Sequence, residues 1–146
     1  MPPKITTTGE QILDAAFELV RREGLAALSA RNVAKALGCS TQPIYRAYSS
    51  IDELKAEVIL KAEEVAQSYL GTDPGGGPPF LRLGLGGLRF AQAEPQLYAA
   101  VGQEGIILKD LQQGKPQPPF VLEAMRADPV LSSLSDEQLT RIHSLM

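Results

Sequence analysis

The chain has 146 residues, 44% of them apolar, and carries 14 basic and 17 acidic side chains for a formal net charge of −3. That suffices for one domain or two small ones with a real core; bulk attraction to nucleic acid is excluded, so any DNA contact must come from local placement of charge. No apolar run approaches membrane-span length, no charged-then-apolar leader opens the chain, and a single cysteine excludes an internal disulfide and suits a reducing cytoplasm.

The residues before Thr7 read as a loose arm with Lys4 in it. A first helix is predicted to begin near Thr7 or Thr8, with Thr7 and Glu10 as a capping box. Ile12, Leu13, Ala16, Phe17 and Val20 form its apolar stripe, and Gly24 closes it after Arg21 and Arg22. That helix serves to pack over a two-helix motif that cannot bury its own apolar faces.

From Ser29 to Tyr48 the spacing predicts two short helices joined by a tight turn. Ser29 is an N-cap residue, Val33, Ala34 and Leu37 mark a buried face, and Gly38 suits the left-handed conformation that ends a helix. Ser40 or Thr41 can cap the second helix, Pro43 is tolerated in its first turn, and Ile44 and Tyr48 give it an apolar face. Ala34 lets the second helix approach, Gly38 turns the chain, and Ile44 fills the space between; this is a helix-turn-helix, whose second helix enters the DNA major groove. Between Gly24 and Ile51 stand Arg31, Lys35 and Arg46 and no acid at all, as a surface that approaches phosphates requires. Cys39, in the turn, reads as a small half-buried filler.

The elements L-S-A-R-N-V-A and G-C-S-T-Q-P-I-Y, within a stretch from about Ile12 to Val58, resemble the DNA-binding segment of the tetracycline-repressor (TetR) family of bacterial transcriptional regulators. The resemblance implies an all-α chain: a three-helix helix-turn-helix domain over residues 1–50, joined by a long helix to a helical effector-binding and dimerisation domain over 51–146. It implies a homodimer on a palindromic double-stranded operator, a small-molecule effector, and repression as the default sense of regulation. The family places Lys where this chain has Ile51; Lys55, one turn later, is the substitute for that phosphate contact.

On the second helix, Gln42 and Arg46 are expected to specify bases, Gln pairing with adenine and Arg with guanine, with Thr41 and Pro43 in van der Waals contact. Ser29, Arg31, Ser40, Tyr45, Tyr48 and Lys55 are expected to hold phosphates. Ser49 or Ser50 caps a helix from about Ile51 to Leu70, with Leu54, Val58, Ala62, Val65 and Tyr69 on one face and Glu53, Glu57, Glu63 and Glu64 on others. Residues 71–79, G-T-D-P-G-G-G-P-P, read as a linker loop and lack the pattern of a phosphate-cradling loop.

Phe80 to Ala93 has helical periodicity in Leu81, Leu85, Leu88, Phe90 and Ala91; Glu94-Pro95 breaks it, and Gln96 to Val101 resumes. The stretch L-R-F-A-Q-A-E-P-Q-L-Y weakly resembles an element of the family's effector-binding domain. Lys115 to Pro119 is a further loop, followed by a short helix around Val121 to Ala127. Phe90, Tyr98, Phe120 and Met125 are candidates for the wall of an effector pocket, and the scarcity of charge among them favours an apolar or weakly polar ligand. Ser135 and Gln138 form a capping box for a last helix whose face runs through Leu139, Ile142, Leu145 and Met146. That face is still growing where the sequence stops, so the expectation is that the distal, dimer-forming helices are missing here.

Catalysis is not expected: the one histidine, His143, has no Ser/His/Asp or Cys/His set around it, and no His/Cys pair has zinc spacing. No metal or cofactor is called for. The competing reading is a helical ligand- or partner-binding protein without DNA binding, and the side chains of the second helix discriminate between the two.

Overall fold

The computed structural model describes residues 7–71, 75–105, 113 and 119–144. Lys4, the loop at 115–118, Leu145, Met146 and the His143 side chain lie outside what is described, as do residues 72–74 of the expected linker. Among the described residues the fold is all-helical: α1 (Gly9–Glu23), a 3-10 turn (Leu25–Ala27), α2 (Ala30–Leu37), α3 (Gln42–Ala47), α4 (Ile51–Gly71), α5 (Pro79–Ala93), α6 (Pro95–Glu104), α7 (Pro119–Arg126) and α8 (Asp136–Ser144).

Local signals set the helix ends. The N-cap of α1 is Thr8, not Thr7: its hydroxyl accepts from the Gln11 N–H at 3.2 Å and the Gln11 side chain accepts from the Thr8 N–H at 3.0 Å. The adjacent threonines offer the same pattern one residue apart, and Gln11 supplies the better-placed acceptor. Gly24 ends α1 at φ 90, where its own Cβ would lie 2.7 Å from the Gln96 side chain. Ser50 starts α4 by accepting from the Glu53 N–H, and Glu53 in turn accepts from the N–H and hydroxyl of Ser49. Those bonds, the hydroxyl foremost, hold the Glu53 carboxyl below its ordinary pKa. At α8 the Ser135–Gln138 capping box is present.

One core runs from α1 into α6. Ile12, Ala16, Phe17 and Val20 of α1 share it with Val33 and Ala34 of α2, Ile44 of α3, Leu54, Val58 and Ala62 of α4, Phe90 of α5 and Leu97 and Ala100 of α6. A smaller cluster joins Val121 and Met125 of α7 to Leu139 of α8, with Phe80, Phe120 and Ile142 packed against it.

The face of α5 differs from expectation. Leu81, Leu85 and Leu88 are 55%, 41% and 62% exposed, while Phe90 is buried. Periodicity identifies a leucine stripe, but a glycine decides the inward side: at Gly86 a Cβ would lie 2.7 Å from the Tyr69 carbonyl oxygen and 2.9 Å from the Leu70 Cα. α5 therefore turns Gly86 toward α4 and leaves Leu81, Leu85 and Leu88 outside. The linker is shorter than predicted, since α5 starts at Pro79. Glu63, which the spacing places off the apolar face of α4, is only 8% exposed.

Candidate nucleic-acid interface

The helix-turn-helix is held by backbone geometry that the sequence dictates locally. Ser29 Oγ accepts from the Asn32 N–H at 3.1 Å, and the Asn32 amide donates to the Ala27 carbonyl at 2.8 Å, tying the start of α2 to the preceding turn. Gly38, at φ 67 and ψ 31, ends α2 in the left-handed region. The Cys39 N–H closes onto the Ala34 carbonyl at 3.0 Å and the Gly38 N–H onto Lys35 at 3.2 Å, a Schellman closure. Cys39 itself is half-buried against the core. Thr41 is the N-cap of α3 through its backbone, with no side-chain cap bond, and Pro43 sits in the first turn. Ile44, 1% exposed, anchors α3 to the core and so fixes which of its side chains face outward.

Those outward side chains are Gln42, Tyr45 and Arg46, with Tyr45 58% exposed. Arg31 and Ser40 are also exposed; Ser29, Thr41 and Pro43 are half-buried. Ser29 spends an oxygen lone pair on its cap and keeps its hydroxyl proton for donation. Gln42 offers an amide and Arg46 a guanidinium fork, the two groups that read base edges bidentately. No acid occurs from Gly24 to Ile51, so no carboxylate of this segment competes for them.

Two expected phosphate contacts are otherwise engaged. Tyr48 is 6% exposed and its hydroxyl donates to Glu57 Oε2 at 2.9 Å, with the Gly9 carbonyl at 3.4 Å. Burial first, and the Glu57 carboxylate second, push the Tyr48 phenol up to about 12. Tyr48 follows α3 on the side of Ile44, four residues on, so it packs inward with the core. Lys55 donates to Glu104 Oε1 of α6 at 2.9 Å, a partner 49 residues away that no local pattern announces. Ile51 is half-buried against the core.

The module is also tied to the rest of the chain by Arg21, whose Nε donates to Glu94 Oε2 at 2.8 Å while Nη2 donates to Glu94 Oε1. The Glu94 side chain is 9% exposed, and its hydrogen bonds hold the Arg21 guanidinium above its ordinary pKa. In the sequence Arg21 has only a place in the last turn of α1, with no sign of this partner. Two turns earlier on that helix, Asp14 pairs with Lys61 of α4 at 2.5 Å, and the Lys61 ammonium lies 5.0 Å from the centre of the Phe17 ring.

The four candidate pocket residues do not converge. Phe90 packs between Tyr69 and Tyr98, ring centres 5.6 and 5.9 Å away, whereas Met125 is buried in the second cluster. Of the four, Phe120 lines a cleft of about 330 Å³ together with Gln67, Leu70 and Leu83. Among the described residues no group of three His, Cys, Asp or Glu side chains could hold a metal ion, and no helix is long and apolar enough to cross a membrane.

Residues 12–58 match the family model described as bacterial regulatory proteins, tetR family. That segment is a tetR-type DNA-binding segment. The matched span runs from the first core residue of α1 through α2 and α3 to Val58 of α4, and so takes in every outward side chain of the tetR-type helix-turn-helix. The match supports a DNA-binding transcription regulator. Among curated proteins none matches the chain.

Proposed function

We propose that the protein is a ligand-responsive repressor that binds a two-fold operator as a homodimer, with α3 in the major groove. The observation that carries this reading is the outward set Gln42, Tyr45 and Arg46 on a helix anchored by Ile44, within an acid-free segment. Gln42 and Arg46 read bases, Thr41 and Pro43 touch methyl groups or sugar edges, and Ser29, Arg31, Ser40 and Tyr45 hold phosphates. Tyr48 and Lys55, having partners inside the fold, are left out of this direct set. Residues 7–50 act as the reading head, and the helices from α4 onward act as the body that receives the effector.

The cleft at Gln67, Leu70, Leu83 and Phe120 supports an effector that is mostly apolar, with a single amide to meet a polar group. Such an effector changes DNA affinity only through a difference in its binding to the two states of the protein. The test is sequence preference in the Arg46→Ala variant. Losing one bidentate base contact should relax preference at one position of each half-site, at about 1–3 kcal/mol, while leaving other positions as they were. An equal loss of affinity for all sequences would remove Arg46 from base reading.

A further inference from the structure

α6 packs against both α1 and α4 and is ion-paired to the head side of the molecule at each end. Where it begins, Glu94 is gripped by Arg21 through two hydrogen bonds; where it ends, Glu104 accepts from Lys55. The two pairs differ in kind. The Glu94 carboxylate is almost wholly enclosed, whereas Lys55 and Glu104 are 32% and 31% exposed, so water reaches both partners and the pair can exchange. Lys55 is also the one cation between Ile51 and Val58, a stretch that holds Asp52, Glu53 and Glu57. It stands one turn after Ile51, roughly 6 Å along the axis. Helical side chains lean toward the N-terminus, here the end of α4 that directly follows α3. A lysine stem spans that distance, so the ammonium can serve either Glu104 or a phosphate beside the start of α4.

We propose that Lys55 is a phosphate-binding side chain that Glu104 holds in reserve, so that the seating of the α6 end sets how many DNA phosphates the head engages. This rests on the DNA-binding reading above and adds its regulation. With α6 seated, a phosphate must displace Glu104 to reach Lys55. When the end of α6 moves away, the contact becomes available without rearrangement of α3, and affinity rises evenly over sequences, because phosphate contacts carry no base information.

The experiment measures binding of the full chain to a random-sequence duplex by fluorescence anisotropy over a salt series, for the wild type, Glu104→Gln, Lys55→Gln and the double variant. Arg31→Ala reports on the DNA-binding reading itself. Glu104→Gln should tighten binding about two- to fivefold, the range of an exposed ion pair. It should also steepen the salt dependence by about 0.9, the value of one added phosphate contact. Neither gain should appear when Lys55 is already glutamine. A gain of equal size in the Lys55→Gln background would reduce the effect to net charge and overturn the proposal, as would unchanged affinity and slope in Glu104→Gln while Arg31→Ala still weakens binding. If the wild type shows no salt-dependent duplex binding and Arg31→Ala changes nothing, the DNA-binding reading falls and this proposal with it.

Discussion

Replacing Tyr48 by phenylalanine removes one oxygen and leaves the ring in place, and the structure gives two routes to the cost. The hydroxyl donates to an ionised Glu57 at 2.9 Å from a side chain that is 6% exposed. A hydrogen bond to a charged group is worth about 1.5–3 kcal/mol, at the lower end here because the exposed Glu57 can turn to water when its donor is lost. The second route is proton linkage. The phenol is pushed up from 10.0 to about 12, so the folded state favours the protonated form. The stability that this supplies is fully present below pH 10 and is lost as pH rises through about 12, on the order of 3 kcal/mol for a shift of about two units. Urea unfolding of both proteins, repeated from pH 8 to pH 12, is the assay. At pH 8 Tyr48→Phe should be less stable by about 1.5–2 kcal/mol. The gap should close above pH 10, because only the wild type has the group that must ionise. Equal stabilities at pH 8, or a gap that stays constant to pH 12, would refute the reasoning.

Gly86→Ala should destabilise by about 1–3 kcal/mol in the same assay, because the new methyl would meet the Tyr69 carbonyl and Leu70 Cα, backbone atoms that cannot swing aside; Gly84→Ala, where a Cβ meets nothing within 4 Å, should be neutral or stabilising. Arg21→Gln leaves the enclosed Glu94 carboxylate without its two-pronged partner. Breaking a fully buried pair costs about 3–5 kcal/mol, and the 43% exposure of Arg21 brings the expected loss to about 1–2 kcal/mol in thermal or urea unfolding.

The reading head was legible because its determinants are local. Ser29 and Gly38 act within one turn of themselves, and Ile44 is the apolar residue of a helix too short to bury any other but its neighbour Tyr48. What a residue does across the fold was harder to read. The four-residue step from Ile44 places Tyr48 on the apolar face in the sequence as in the structure, but nothing local shows that its hydroxyl goes to Glu57 and not to a phosphate. Lys55 and Arg21 find their partners 49 and 73 residues away, at the two ends of α6, and charge spacing along one helix carries no signal of either. The leucines of α5 show the limit of periodicity: it defines a stripe, while close approach at Gly86 settles which side goes in. Phe90, Tyr98, Phe120 and Met125 shared only apolar character, and the fold divides them between two clusters and an exposed surface.

The central claim is that α3 reads duplex DNA in a two-fold arrangement. Selection of sequences from a random duplex pool by the full chain, followed by sequencing of the bound fraction, tests it most directly. The account predicts enrichment of an inverted repeat with half-sites about one helical turn apart or somewhat more, and loss of preference at one position per half-site in Arg46→Ala. A pool that emerges without an enriched repeat, or a single asymmetric site unaffected by Arg46→Ala, would contradict it.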